Sequence, residues 1–186
     1  AVDWSGARTG AERKIWLCEV RDGRVVRLEH GRSREALVAH VITEAARDPR
    51  LVVGLDFAFS FPAWFVAGHG GSAPALWRNA LRDGERWARA EVPPFWGRPG
   101  VKRDPTVAEH RRTEREIAAR TGMTPKSVFQ VGGAGAVGTG SIRGMPCLAH
   151  LQDAGFAIWP FDAPRAGAPV AVEIWPRLCY AEPVVK

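Results

Sequence analysis

Cysteine is scarce in this chain of 186 residues: Cys18, Cys147 and Cys179 stand far apart, and none forms a CxxC pair. That odd number and spacing argue against a disulfide framework or a cysteine zinc site. They read as buried free thiols in a reducing compartment such as the cytoplasm. Long apolar runs are missing too. The most apolar stretch, Leu51 to Gly68, is interrupted by Asp56 and Pro62, so no membrane span is expected. No signal peptide is visible, and the first residue, Ala1, lies inside an apparent strand, so the chain reads as trimmed at its start. The five histidines have no metal-ligand spacing, no serine sits in a nucleophile elbow, and there are no internal repeats or low-complexity tails.

With 46% apolar and 25% charged residues, the composition is that of an ordinary globular chain, expected to form one domain over 1–186 with a sizeable core. The net charge of +6 and a pI of about 9.9 favour anionic partners such as nucleic acid or nucleotides.

The pattern along the chain is strand, hairpin, helix, strand. Ala1 to Trp4 reads as the end of a strand. Lys14 to Val20 alternates, Arg21-Asp22-Gly23 is a turn signal, and Arg24 to Leu28 returns as the second arm of a hairpin. Ser33 is an N-cap for a helix to about Arg47, and Leu51 to Leu55 is a buried strand ending at Asp56. Ala75 to Glu91 is amphipathic, with Arg78, Arg82, Glu85 and Arg89 outside its apolar stripe. Val92 to Pro105 is a Pro- and Gly-rich loop. Thr106 is expected to cap a helix to about Arg120, Ser127 to Val131 to form a short strand, and Gly132 to Gly144 to be a loop. A helix from about Cys147 to Ala154 and strands at Phe156–Phe161 and Pro169–Trp175 follow. A three-strand meander, a helix and a strand ending in a carboxylate form the opening of an RNase H-like fold, an α/β mixed sheet flanked by helices. A right-handed crossover lays the fourth strand parallel to the first, which brings Asp3 and Asp56 together.

Asp3, Asp56 and Glu173 are each set in an apolar, strand-like segment, and a bare carboxylate there is costly to desolvate. Asp3 reads either as an Asx turn or as a metal ligand. Asp56 reads as a buried acid held by backbone amides or as a ligand, and Glu173 as an edge-strand surface acid or a ligand. Glu114 falls on the apolar face of its helix, with Glu109 and Glu116 pointing outward. Its alternatives are a buried pair with Arg111 and a place in the acidic cluster. A bound divalent metal, Mg²⁺ or Mn²⁺, accounts most simply for such a cluster. The loop Gly133-Ala134-Gly135-Ala136-Val137-Gly138 matches GxGxxG literally but lacks the dinucleotide context. It reads instead as amides offered to a phosphate, Gly138 among them, helped by Ser141 and Arg143. Trp96, among basic loop residues, is the candidate for stacking on a base.

Asp3-Trp4-Ser5-Gly6, Gly54-Leu55-Asp56-Phe57 with Ser60-Phe61-Pro62, Arg112-Thr113-Glu114, Lys126 to Gln130, Gly135 to Pro146 and Val172 to Pro176 together resemble the family called domain of unknown function 429, predicted RNase H-like nucleases. The resemblance covers nearly the whole chain and is most specific over Ser127 to Leu148. It implies an RNase H-like fold and a metal-dependent nuclease. Such families usually continue past the Glu173 strand into a helix bearing further acids, so a truncated end is expected at Lys186. The leading expectation is a hydrolase of nucleic acid phosphodiesters. Its metal ligands are Asp3, Asp56, Glu114 and Glu173, and its phosphate contacts are Ser5, Arg112, Lys126, Gly138, Ser141 and Arg143. The alternatives are a nucleotide-binding, actin-like ATPase or phosphotransferase, with Asp3-Trp4-Ser5-Gly6 as its first phosphate loop, and a catalytically silent binding domain.

Overall fold

Ser33 begins the first long helix by the expected device. In the computed structural model, which describes residues 1–179, its side chain accepts the Ala36 N–H at 3.2 Å, so a free amide of the first turn is satisfied. Helix α1 spans Arg34–Arg47 and buries Leu37, Val41 and Ala45, the one-face spacing of an amphipathic helix. It connects a hairpin, β2 (Trp16–Arg21) and β3 (Arg24–His30), to the buried strand β4 (Val52–Leu55). Strand β1 is short, Val2–Asp3, and β5 and β6 are Ala157–Trp159 and Val170–Glu173.

These strands form one mixed six-stranded sheet in the order β3-β2-β1-β4-β6-β5. The chain is therefore mixed α/β. The β1, β2 and β3 pairings are antiparallel, whereas β1 with β4, β4 with β6, and β6 with β5 are parallel. Strand β4 thus returns beside β1 and parallel to it, as expected from the order of elements.

The described chain gathers into two compact units. The sheet unit comprises Ala1–Ser5, Gly10–Phe57 and Leu151–Lys186, the last segment described as far as Cys179. The helical unit comprises Gly6–Thr9 and Ala58–His150. It contains α2 (Ala63–Gly68), α3 (Ala73–Ala88), α4 (Arg112–Thr121) and most of α5 (Gly138–Asp153). Its core is aromatic: Phe61, Phe65, Trp87, Phe95 and Phe129 pack with ring centroids 4.9–6.1 Å apart. Helices α3 and α5 approach closely because Gly84 has no side chain. A Cβ there would lie 2.9 Å from Ile142 Cγ2.

Three boundaries in the helical unit differ from expectation. Thr106 does not begin a helix; it closes a turn in which its N–H and hydroxyl both reach Asp104 Oδ1, at 2.9 and 2.7 Å. Helix α4 starts only after Arg111. The phase counted from Val107 therefore does not apply to Glu109, which is buried and binds Arg103 at 2.6 Å and the Trp96 indole N–H at 3.1 Å. Trp96 is thereby anchored in its own loop. Ser127–Val131 forms turns and a single bridge between Gln130 and Trp96 in place of a strand. Helix α5 begins at Gly138, despite Gly140, Gly144 and Pro146 within it. The glycines permit close contact: a Cβ on Gly6 would meet the backbone of Thr139 at 2.7 Å.

Gly97 and Gly132 face each other across the Trp96 bridge, with Gly97 at a φ of +98° and its would-be Cβ 2.5 Å from the Gly132 carbonyl oxygen. No side chain fits at either position without moving backbone. Gly132→Ala is expected to lower stability by about 1–3 kcal/mol, read as a lower urea midpoint at unchanged m-value. An unchanged midpoint would show that the loop yields freely.

Candidate functional site

Asp3 is the last residue of β1, Asp56 follows β4 directly, and Glu173 is the last residue of β6. Parallel pairing sets all three at the carboxyl ends of neighbouring strands, since Val2 is in register with Leu55 and Leu55 with Glu173. The register is held at the acids themselves: the Asp56 N–H donates to the Val2 carbonyl at 3.0 Å, and the Ile174 N–H to the Leu55 carbonyl at 3.1 Å. From β1 the chain proceeds to β2 on one side, and β4 is continued by β6 on the other. The carboxyl ends of such a divergence are where open α/β sheets bind their ligands.

After Leu55 the chain turns sharply, with the Phe57 N–H returning to the Leu55 carbonyl at 3.0 Å, a turn centred on Asp56. The residues after the two aspartates pack together: the Trp4 and Phe57 rings are buried, with centroids 4.9 Å apart. Arg34, at the start of α1, donates to the Ser5 carbonyl at 2.6 Å. Gly54 leaves room for Ile174, whose Cγ2 would lie 2.8 Å from a Cβ there. Ile174, directly after β6, therefore fills the space over Gly54, and alternation along the extended chain directs Glu173 to the opposite face.

The electrostatics follow from this crowding. Burial pushes the Asp56 carboxyl up to about 6, and the negative charges of Asp3 and Glu173 add to the shift. The charges of Asp3 and Glu173 thus act on Asp56, but Asp3 is exposed and Asp56 and Glu173 are half-buried, in place of the buried acidic cluster that their apolar setting led one to expect. Among the described residues, however, no three His, Cys, Asp or Glu side chains gather into a group that would hold a metal ion. The donor set fits Mg²⁺ or Mn²⁺ only in the sparse form that such ions accept, with one or two carboxylates and the remaining positions left to water and substrate phosphate. One further observation agrees with an incomplete site. The Trp4 indole N–H is buried and has no acceptor among the described residues, a condition unusual for a buried donor.

Glu114 belongs to the helical unit, where it caps α4. Its Oε2 accepts the Arg111 N–H at 2.7 Å, and its Oε1 accepts Arg111 Nε at 2.7 Å. Both oxygens are engaged by the residue before the helix, the paired alternative that the sequence held open. The residues expected to contact phosphate divide similarly. Ser141 is fully buried, and its hydroxyl links the Ala58 N–H at 3.1 Å to the Val137 carbonyl at 3.2 Å. The Gly138 N–H is bound to the Gln130 carbonyl at 2.9 Å. Arg143 binds Glu85 through Nε at 2.7 Å and Nη2 at 3.1 Å, and its Nη1 donates to the Gly6 carbonyl. Hence the glycine-rich segment spends these donors on its own packing. Arg112, whose side chain is 86% exposed, lies 3.4 Å from Glu116, and Lys126 is exposed. A cleft of about 510 Å³ opens at the amino ends of β1 and β4, walled in part by Glu19, Glu44 and Val53. It contains none of these residues.

The sequence signal for the acids was their apolar setting. The signal for the aromatic clamp was equally local, an aromatic residue directly after each aspartate, and it passed unused.

No known family, curated protein or solved structure matches the chain. No helix among the described residues is long and apolar enough to cross a membrane.

The raised Asp56 value makes stability depend on pH. Between 3.8 and about 6 the folded chain holds a proton that the unfolded chain has released. Stability therefore falls as pH rises through that window, and the deficit is complete above it. In EDTA, Asp56→Asn, uncharged throughout, is expected to melt with the wild type near pH ~4. It should melt roughly 2–4 °C higher at pH ~8, a modest gain because solvent screens a half-exposed carboxylate. Parallel melting curves across that range would sink the assignment of Asp56 as a crowded acid.

Proposed function

We propose that this chain is a divalent-metal-dependent hydrolase of phosphodiester bonds in nucleic acid, built on an RNase H-like arrangement of its sheet. The observation that carries the reading is the placement of Asp3, Asp56 and Glu173 at the carboxyl ends of three adjacent parallel strands, with the Asp56 carboxyl pushed up to about 6. A half-buried acid such as Asp56, repelled by neighbouring carboxylates, is stabilised by a cation. The strand order and the parallel return of β4 beside β1 support the fold, and the basic composition supports an anionic substrate.

Asp3 and Asp56 would hold Mg²⁺ or Mn²⁺. A bound ion of this kind polarises a phosphoryl oxygen and acidifies water. The protein's own part is to hold the two carboxylates at a fixed spacing. The backbone bond from Asp56 to Val2 sets the strand separation, and the Trp4–Phe57 contact restrains the turn that carries Asp56. Glu173 adds negative charge that raises the attraction for a cation. Below pH about 6 the proton on Asp56 competes with the ion, so affinity falls with acidity. Arg112 and Lys126, both exposed, are suited to phosphate contact.

Labelled single-stranded DNA and RNA, incubated with Mn²⁺ or Mg²⁺, test the reading. Cleavage is expected with metal and not with EDTA, and Asp3→Asn or Asp56→Asn should reduce the rate about 100-fold or more. Metal should raise the melting temperature of the wild type, and Asp56→Asn should largely remove that rise. Equal metal-induced shifts in wild type and mutant would count against Asp56 as a ligand. Stabilisation by ATP without cleavage would favour the nucleotide-binding alternative, and the absence of both would leave a silent binding domain.

A further inference from the structure

The hairpin ends the sheet on one side, and its outer strand β3 (Arg24–His30) pairs with β2 alone among the described residues. The pairing fixes which backbone groups of β3 face outward. The Cys18 N–H donates to the Ala1 carbonyl at 2.9 Å, so Cys18 turns its backbone to β1, and Leu28, opposite it, is a non-hydrogen-bonded partner. Alternation then directs the N–H and C=O of Leu28, and of His30 opposite Trp16, to the open edge. The same residues stand on an exposed face. Trp16, Cys18 and Val20 of β2 share it with Val25, Leu28 and His30 of β3. The Trp16 and His30 rings are 4.6 Å apart, and Trp16, Val20, Val25 and Leu28 are 41–64% exposed. An open edge is a template for pairing, and contiguous exposed apolar residues mark interaction surfaces.

We propose that a second copy of this chain docks here, its β3 running antiparallel to the first about a two-fold axis at Leu28, so that two sheets join into one. Charge complementarity selects both the occupant and the register. With Leu28 opposite its counterpart, the outward N–H and C=O of the two leucines bond reciprocally. Arg27 then stands opposite Glu29 on each side of the axis, in the non-hydrogen-bonded positions where Cα atoms are only about 4.5 Å apart. Sliding by two residues, the smallest step that keeps outward groups paired, sets Glu29 opposite Glu29 or Arg27 opposite Arg27. Like charges directly opposite are destabilising. Within one chain these residues already have partners: Arg27 lies 3.3 Å from Glu19 and 3.7 Å from Glu29, and Glu29 binds Arg32 at 2.7 Å. Across the axis the pairs continue in alternating sign, Glu19–Arg27 of one copy meeting Glu29–Arg32 of the other. On the opposite face Leu28 packs on its counterpart, with Cys18 of each copy beside it. Any extended strand can add to an edge, but Arg27-Leu28-Glu29 is its own complement. The regular pairing is short, because the bulge beside Arg27 re-aims the strand toward Arg24, so the dimer is weak and concentration-dependent. The interface goes beyond the carboxylate reading and does not rest on it.

The test is sedimentation equilibrium in EDTA, over protein concentrations reaching ~1 mM. The wild type should shift from the 20.3 kDa of one chain toward twice that mass, and amide hydrogen exchange should slow at Leu28 and His30 as it does so. R27E and E29R each set like charges across the axis, and each should weaken association about tenfold or more. An equimolar mixture of the two should associate as the wild type does, because each supplies the charges that the other lacks, and R27E/E29R should do so alone. A role in folding alone would give no rescue by mixing, and circular dichroism of each variant reports its fold. Should a charge variant not fold, Leu28→Pro, which removes an N–H facing away from β2, should remain folded and stay at the mass of one chain. A wild type that keeps the mass of one chain throughout, leaving the edge to a different protein, would overturn the proposal. So would single variants that associate as tightly as the wild type, a folded mixture that fails to associate, a folded Leu28→Pro that still dimerises, or a dimer in which Leu28 and His30 exchange at the monomer's rate.

Discussion

The parallel pairing of β1 with β4 is the contact on which the rest of the arrangement depends. Strand β1 is two residues long and has little pairing energy of its own. It is held from both sides, by β2 through the register of Val2 with Leu17 and by β4 through that of Val2 with Leu55. A slip of one residue in such a strand turns every side chain to the other face. Val2, fully buried, specifies the register, because exposing it in place of Asp3 would bury a charge instead. The hydrophobic effect on one residue thus aims the carboxylate on the next. The same reasoning holds for Leu55 and Asp56, with the turn after Leu55 adding a backbone constraint.

The helical unit obeys a different logic. Its glycine-rich segment carries polar groups, yet the groups described are consumed locally: Gly138 by Gln130, Ser141 by Ala58 and Val137, Arg143 by Glu85 and Gly6. Close backbone approach explains this. Where glycine lets two segments touch, their amides and carbonyls lose water and must find partners in each other. A glycine-rich loop therefore offers amides to a ligand only when its own fold leaves them unmatched, and in this segment the fold has matched these.

What was legible in the sequence follows from how local each cause is. Helix α1 was read end to end because Ser33 caps it and Asp48 follows it, both signals within its own residues. Asp3, Asp56 and Glu173 were legible because an acid inside an apolar strand is anomalous without reference to anything distant. The start of α5 was not: Gly140, Gly144 and Pro146 argue against a helix locally, and close contact of Gly140 and Thr139 with Gly6, more than a hundred positions away, is part of what it gains by forming. Glu109 was misread for a related reason. Its burial depends on Arg103 and Trp96 closing around it in a loop, and a helical count cannot see a loop. Glu114, in contrast, was placed inward correctly although α4 begins later than expected, because its burial comes from capping the helix it sits in.

The treatment of charge elsewhere in the chain gives Asp56 its meaning. Glu19, Glu29, Glu85 and Glu91 are each held below the usual carboxylate range, and an arginine hydrogen bond is the leading cause in every case. Asp48 and Asp104 are lowered by hydrogen bonds within their own turns, and Glu35 by those of the helix start. The chain has twenty-six basic side chains and uses them freely for this purpose. Asp56 is shifted in the other direction, and every cause of its shift opposes ionisation: burial, then Asp3, then Glu173. Had the acids been kept for stability, an arginine beside Asp56 would have removed the strain at little cost, as it does at Glu85. Leaving two further carboxylates there instead lowers stability at neutral pH, and such an arrangement is characteristic of sites where charge is kept for a ligand. The missing counter-charge is what the proposed cation would supply, and Asp56 is where its absence is felt most.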